Sequence, residues 1–92
     1  MLDEKKRQNV ISRLNRIEGQ IKGIVKMVEE DRYCIDIINQ TSAIAAALKS
    51  VENIVMENHL NTCVSDAMQK NDENEKQEKI SEIMDAISRM RK

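Results

Sequence analysis

Residues 33–68 read YCIDIINQTSAIAAALKSVENIVMENHLNTCVSDAM, a run with no glycine and no proline. Nothing in it breaks a helix, and Ala, Leu, Ile, Met, Glu and Lys propagate one well. Steps of three and four put Cys34, Ile37, Thr41, Ile44, Leu48, Val51, Val55, His59 and Cys63 on one arc. As an α-helix the run is about 50 Å long, more than the width of a small domain. A helix that long leaves apolar surface which one short chain has no means to cover.

The flanking sequence extends the same architecture. Val10, Leu14, Ile17, Ile21, Ile24 and Val28 form the apolar stripe of an earlier helix, expected at about 5–29. On its opposite arc lie Arg16, Lys22 and Lys26, with Gly19 and Gly23 between them and Arg13 alongside. Two interior glycines cost a helix roughly 1 kcal/mol each relative to alanine. On the polar side they are explained by something that must approach the backbone closely. The break EEDRYC has Asp31 as the expected cap of the second helix, at about 33–69. KNDENEKQEK then reads as a polar linker at about 70–78, before a short amphipathic helix at about 79–91 carrying Ile80, Ile83, Met84, Ile87 and Met90.

The composition fits. The 92 residues contain no Trp, Phe or Pro, one Tyr and two Gly, which excludes most β architectures. The expectation is an all-α, three-helix protomer in a single domain, 1–92. MLDEKKRQNV has no apolar run behind its charges, so a secretory signal is not expected. Two cysteines in that setting indicate a reducing cytoplasm, with no membrane partner. The net charge of −1 hides an asymmetry. Residues 5–28 carry Lys5, Lys6, Arg7, Arg13, Arg16, Lys22 and Lys26 against Glu18 alone, whereas 52–85 are acidic. That pattern suits a nucleic-acid face or simple complementarity between helices. An enzyme is not expected, with a single histidine, no nucleophile–base pair in reach within a chain and no phosphate-binding glycine loop, and no small-molecule substrate is expected either.

Cys34, Cys63 and His59 are all the cysteines and histidines present. Along one helix Cys34 and His59 lie about 37 Å apart, too far to share a ligand. An antiparallel second copy, crossing near Ala43–Leu48, brings Cys34 of one chain to His59 and Cys63 of the other. Two-fold symmetry then makes two identical sites. Two thiolates and an imidazole suit Cu(I); Zn(II) wants a fourth ligand, and Ni(II) or Co(II) more nitrogen. Two buried thiols and a core histidine remain the plain alternative.

RLNRIEGQIKGI (13–24), EEDRYCIDII (29–38), QTSAIAAAL (40–48) and HLNTCV (59–64) resemble the copper-sensing repressor family, the CsoR/RcnR-like bacterial regulators. ISEIMDAI (80–87) resembles it less strongly. The resemblance implies an antiparallel dimer that pairs into a homotetramer, binds operator DNA without a helix-turn-helix, and releases it when an effector binds. Cys34, His59 and Cys63 match the copper-sensing ligand set, one Cu(I) per subunit. Nickel and cobalt sensors replace the second cysteine with histidine, and formaldehyde sensors use an N-terminal proline. Persulfide sensors keep both cysteines but lack the histidine, which leaves a persulfide or thiol-oxidation sensor as the nearest alternative. A helical oligomerisation module without effector is the alternative of another class. The resemblance also assigns Tyr33 and Glu82 as outer-shell residues, Glu78 being the other candidate for the glutamate. For DNA it points to Arg13 and Arg16, with Lys22, Lys26 and Lys49.

Overall fold

The computed structural model describes residues 2–70 and 72–91, with Cys63 and Val64 described through their backbone alone. Every regular element among the described residues is helical: α1 (Glu4–Glu29), α2 (Cys34–His59), a π-helical turn (Leu60–Val64), α3 (Ser65–Gln69) and α4 (Glu73–Met90). The chain is an all-α, three-helix protein, because α2, the π turn and α3 follow one another without a non-helical residue.

α1 starts where Asp3 accepts a hydrogen bond from the Lys6 backbone N–H at 2.8 Å. Glu4 in the first turn and Lys26 in the last suit the helix dipole. The helix ends in reverse-turn bonds: Glu30 N–H donates to Lys26 O and Arg32 N–H to Met27 O, each at 2.9 Å. Between them Asp31 takes a left-handed conformation, with φ of 53°. Asp31 therefore terminates α1 and does not cap α2 as its sequence position led us to expect. The Tyr33 carbonyl instead accepts the first bonds of α2, from Asp36 N–H at 3.0 Å and Ile37 N–H at 3.2 Å. A left-handed residue with a branched Cβ is strained by about 1–2 kcal/mol. Asp31→Val should lower the free energy of unfolding by that amount in chemical denaturation, while Asp31→Gly should equal or exceed the wild type. Equal stability for Val and Gly would contradict this backbone geometry.

The third helix begins earlier than the sequence reading placed it. α4 opens at Glu73, inside the expected linker at 70–78. Asp72 caps it by accepting from Asn74 N–H at 3.0 Å and Glu75 N–H at 3.2 Å. Glu73 and Glu75 in its first turn oppose the helix dipole favourably, and Lys76 Nζ lies 3.5 Å from Glu73 Oε1. Helix-forming polar residues with a good cap need no apolar stripe to start a helix.

Two compact units divide the chain. One comprises 3–51, α1 with the first part of α2. Val10, Ile17, Ile44 and Val51 are its buried apolar residues. α1 and α2 together line an open apolar concavity of about 430 Å³, walled by Ile21, Ile24, Val25, Val28 and Ile44. Ile21, Val25 and Val28 remain about half exposed, as do Ile35 and Ile38. The other unit holds residues from Glu52 onward together with Leu2. Here α3 and the π turn both pack on α4, and Asn58, Ala67 and Ile83 are buried. No large side chain among the described residues is fully buried in either unit. Among the described residues no helix is long and apolar enough to cross a membrane.

Candidate functional site

The first and last residues of α2 are the two described members of the predicted ligand set. Cys34 opens the helix as an exposed free thiol, directly after the exposed Tyr33. His59 closes it, its side chain 28% exposed. The side chain of Cys63 lies outside the described residues; its backbone belongs to the π turn. Among the described residues, no three His, Cys, Asp or Glu side chains gather within the one chain.

Glu82, projecting from α4, places Oε1 3.6 Å from His59 Nε2. That is ion-pair range, beyond hydrogen-bond distance. A carboxylate facing Nε2 favours the tautomer that carries its proton there, leaving the Nδ1 lone pair to bind a ligand. Of the two glutamates considered from sequence, Glu82 is the one in contact with the imidazole. The donors this chain offers, a thiol and an imidazole nitrogen, are soft to borderline and suit Cu(I) or Zn(II) better than hard cations.

Just beyond His59 the backbone departs from the α-helix that the sequence reading carried through to 69. Within the π turn each repeat takes one residue more, so everything beyond it is rotated by about 100° relative to an unbroken helix. The predicted apolar line from Cys34 therefore does not continue unchanged past His59. Thr62 gives a local reason. Its Oγ1 donates to the Asn58 carbonyl at 2.8 Å, competing for the acceptor that a regular helix offers to the Thr62 N–H.

The cationic candidates sit elsewhere. Arg13, Arg16, Lys22 and Lys26 are exposed on α1, and Lys49 is exposed on α2. Arg13 Nε donates to Asn9 Oδ1 at 3.0 Å. Lys22 pairs with Glu18 at 3.7 Å and Lys26 with Glu30 at 3.9 Å, both solvent-exposed contacts worth little. Arg16 and Lys49 have no ion-pair partner among the described residues. A Cβ added at Gly19 or Gly23 meets nothing within 4 Å, so packing within the chain does not require glycine at either position.

A thiol and an imidazole thus stand at the two ends of α2, and the exposed cationic candidates lie on α1 and at Lys49. The model of the family described as metal-sensitive transcriptional repressor matches residues 6–89. This chain belongs to that family. Over 88 residues it is 43% identical to the copper-sensing transcriptional repressor CsoR of Bacillus subtilis, covering 96% of this chain and 84% of the relative. The copper-sensing transcriptional repressor RicR of Mycobacterium tuberculosis is 47% identical over 62 residues, 67% of this chain and 65% of that one. The crystal structure of the copper-sensing repressor CsoR with Cu(I) from Geobacillus thermodenitrificans superposes with a TM-score of 0.89 at 41% identity, covering all of this chain and 93% of the other. The nickel-responsive transcriptional regulator InrS also shares the fold, with a TM-score of 0.73 at 32% identity over 90% of each chain. One repressor fold thus serves different metals, and the donor atoms must select among them.

Proposed function

We propose that this repressor is Cu(I)-responsive: it binds operator DNA without metal and releases it when one Cu(I) binds per subunit. The observation that carries this reading is the His59–Glu82 contact, which leaves Nδ1 as the free ring nitrogen on a chain offering thiols as its other soft donors. Cys34 of one subunit joins the partner subunit's His59 and Cys63, across an antiparallel dimer that pairs into a tetramer. The single domain, 1–92, acts in the cytoplasm.

The residues divide the work by their chemistry. Cys34 and Cys63 give up their thiol protons on binding, which makes occupancy pH-dependent. His59 supplies an imidazole nitrogen, and Glu82, whose carboxylate faces Nε2, orients the ring. Bound Cu(I) would supply a soft centre of low coordination number, which Cys34 of one subunit and His59 and Cys63 of the other would hold. Glu82 carries that change to α4, and Tyr33 lies next to the first thiol. Glu82→Gln should therefore raise the Cu(I) concentration needed for release about 10–100-fold while apo DNA affinity stays as it was. An unchanged copper response would remove Glu82 from the pathway.

Arg13, Arg16, Lys22, Lys26 and Lys49 provide the DNA face. Assembly multiplies this patch, so a net charge of −1 is no obstacle to binding a polyanion. Gly19 and Gly23 leave the backbone of α1 open to close approach by a phosphate strand. Gly19→Ala and Gly23→Ala should each stabilise the protein by up to about 1 kcal/mol. They should also weaken DNA binding similarly on every sequence, as expected for phosphate contacts. Substitutions that stabilise and leave DNA affinity intact would exclude the glycines from the interface.

The test of the reading is fluorescence anisotropy of reduced protein on DNA from its own upstream region, titrated anaerobically with Cu(I). Release near one Cu(I) per subunit is expected, and by reciprocity DNA must weaken copper binding by the same factor. Tight binding that ignores copper but responds to persulfide would transfer the protein to the thiol-oxidation branch. A protein with neither DNA affinity nor metal uptake would be an oligomerisation module.

A further inference from the structure

We infer that Thr62 is a positioning residue for the metal site: its hydroxyl, held on the Asn58 carbonyl, maintains the π turn that sets the backbone of Cys63 relative to His59. The inference rests on the Cu(I) reading above.

Three observations converge on this turn. It begins immediately after His59, contains Cys63, and has regular α-helix on both sides. The Thr62 hydroxyl bond to Asn58 O, 2.8 Å long, is half-buried, and Asn58 is only 5% exposed. α4, which carries Glu82, packs against the π turn itself.

Burial distinguishes this bond from its analogues. Ser50 also donates back to the Ala46 carbonyl, at 3.3 Å, and Thr41 to Ile38 at 2.8 Å, yet α2 stays regular at both. Both of those bonds are exposed, where water replaces either partner at little cost. At Thr62 water has poorer access, and the hydroxyl keeps its claim on the carbonyl.

The extra residue also decides which way the chain faces. His59 and Ala67 are eight positions apart, about 80° around an unbroken α-helix. Subtracting the π turn's one residue leaves them within about 20° of each other. His59 meets Glu82 on α4, and Ala67, 2% exposed, is the most buried residue of α3, which packs on the same helix. The π turn thus lets His59 and α3 address α4 together. A return to α-helical register swings α3 by about 100° or pulls His59 away from Glu82.

The test compares Thr62→Val, nearly isosteric without the hydroxyl, with Thr62→Ser, which keeps it. Cu(I) affinity is measured by competition with a chromophoric chelator, coordination by X-ray absorption at the copper edge, and apo DNA affinity by anisotropy. Thr62→Val should bind Cu(I) at least tenfold more weakly with an altered edge spectrum, Thr62→Ser should match the wild type, and apo DNA affinity should stay within twofold in both. Wild-type affinity and spectrum in Thr62→Val would overturn the inference, as would a Thr62→Ser as weak as the valine variant. So would a valine variant that loses apo DNA binding as well, since the hydroxyl would then support the fold at large. A wild type that takes up no Cu(I) would instead refute the copper reading itself.

Discussion

Cys63→Ala should abolish copper-dependent release of DNA while leaving the apo protein bound to its operator. The loss is complete because removing one of three donors leaves one thiolate and one imidazole, from different subunits, with no third protein atom to finish the set. DNA affinity should hold because Cys63 lies in the unit beginning at Glu52, whereas the cationic residues Arg13, Arg16, Lys22, Lys26 and Lys49 all lie in the unit comprising 3–51. Truncating a cysteine to alanine costs stability only about 1 kcal/mol, so a folded variant is expected. Anisotropy with saturating Cu(I) makes the comparison. Release by the alanine variant at one equivalent would remove Cys63 from the site.

Val25→Glu should dissociate the assembly and take the copper response with it. In a lone chain Val25 is 54% exposed at the edge of the apolar concavity, and a carboxylate there would be nearly neutral, within about 0.5 kcal/mol. In a dimer that covers Ile21, Val25 and Val28, the same carboxylate is buried without a partner. That costs about 3 kcal/mol or more, which weakens association at least about 100-fold. The two cases differ enough for one sedimentation experiment to separate them. Smaller species and an absent Cu(I) response are expected. An unchanged assembly would place the interface elsewhere.

The long helix was legible because thirty-odd residues without glycine or proline, with apolar positions at steps of three and four, have few other ways to fold. Cys34, His59 and Cys63 stood out because they are the chain's only cysteines and histidine, and because a single helix keeps the first apart from the other two. What stayed hidden was set by hydrogen-bond register, not residue type. Asp31 and Asp72 are both aspartates beside a helix end, yet one terminates α1 at φ of 53° and the other caps α4. The early start of α4 escaped a search for apolar periodicity because its first turns are Glu, Asn, Lys and Gln. The π turn escaped for a similar reason, as a threonine four residues after a buried asparagine is a faint signal until the carbonyl it bonds is known. Glu82 was named by its place in a motif, and its carboxylate lies 3.6 Å from His59 Nε2.

Complementation between two inactive chains tests the shared site most directly. A Cys34→Ala chain and a Cys63→Ala chain, each without a complete site as a homodimer, are co-expressed with different tags and purified as the heterodimer. Cys34 of the second chain then faces an intact His59 and Cys63 on the first. The account predicts one tightly bound Cu(I) per heterodimer and none in either homodimer. A heterodimer as copper-blind as its parents would contradict a site built from two subunits.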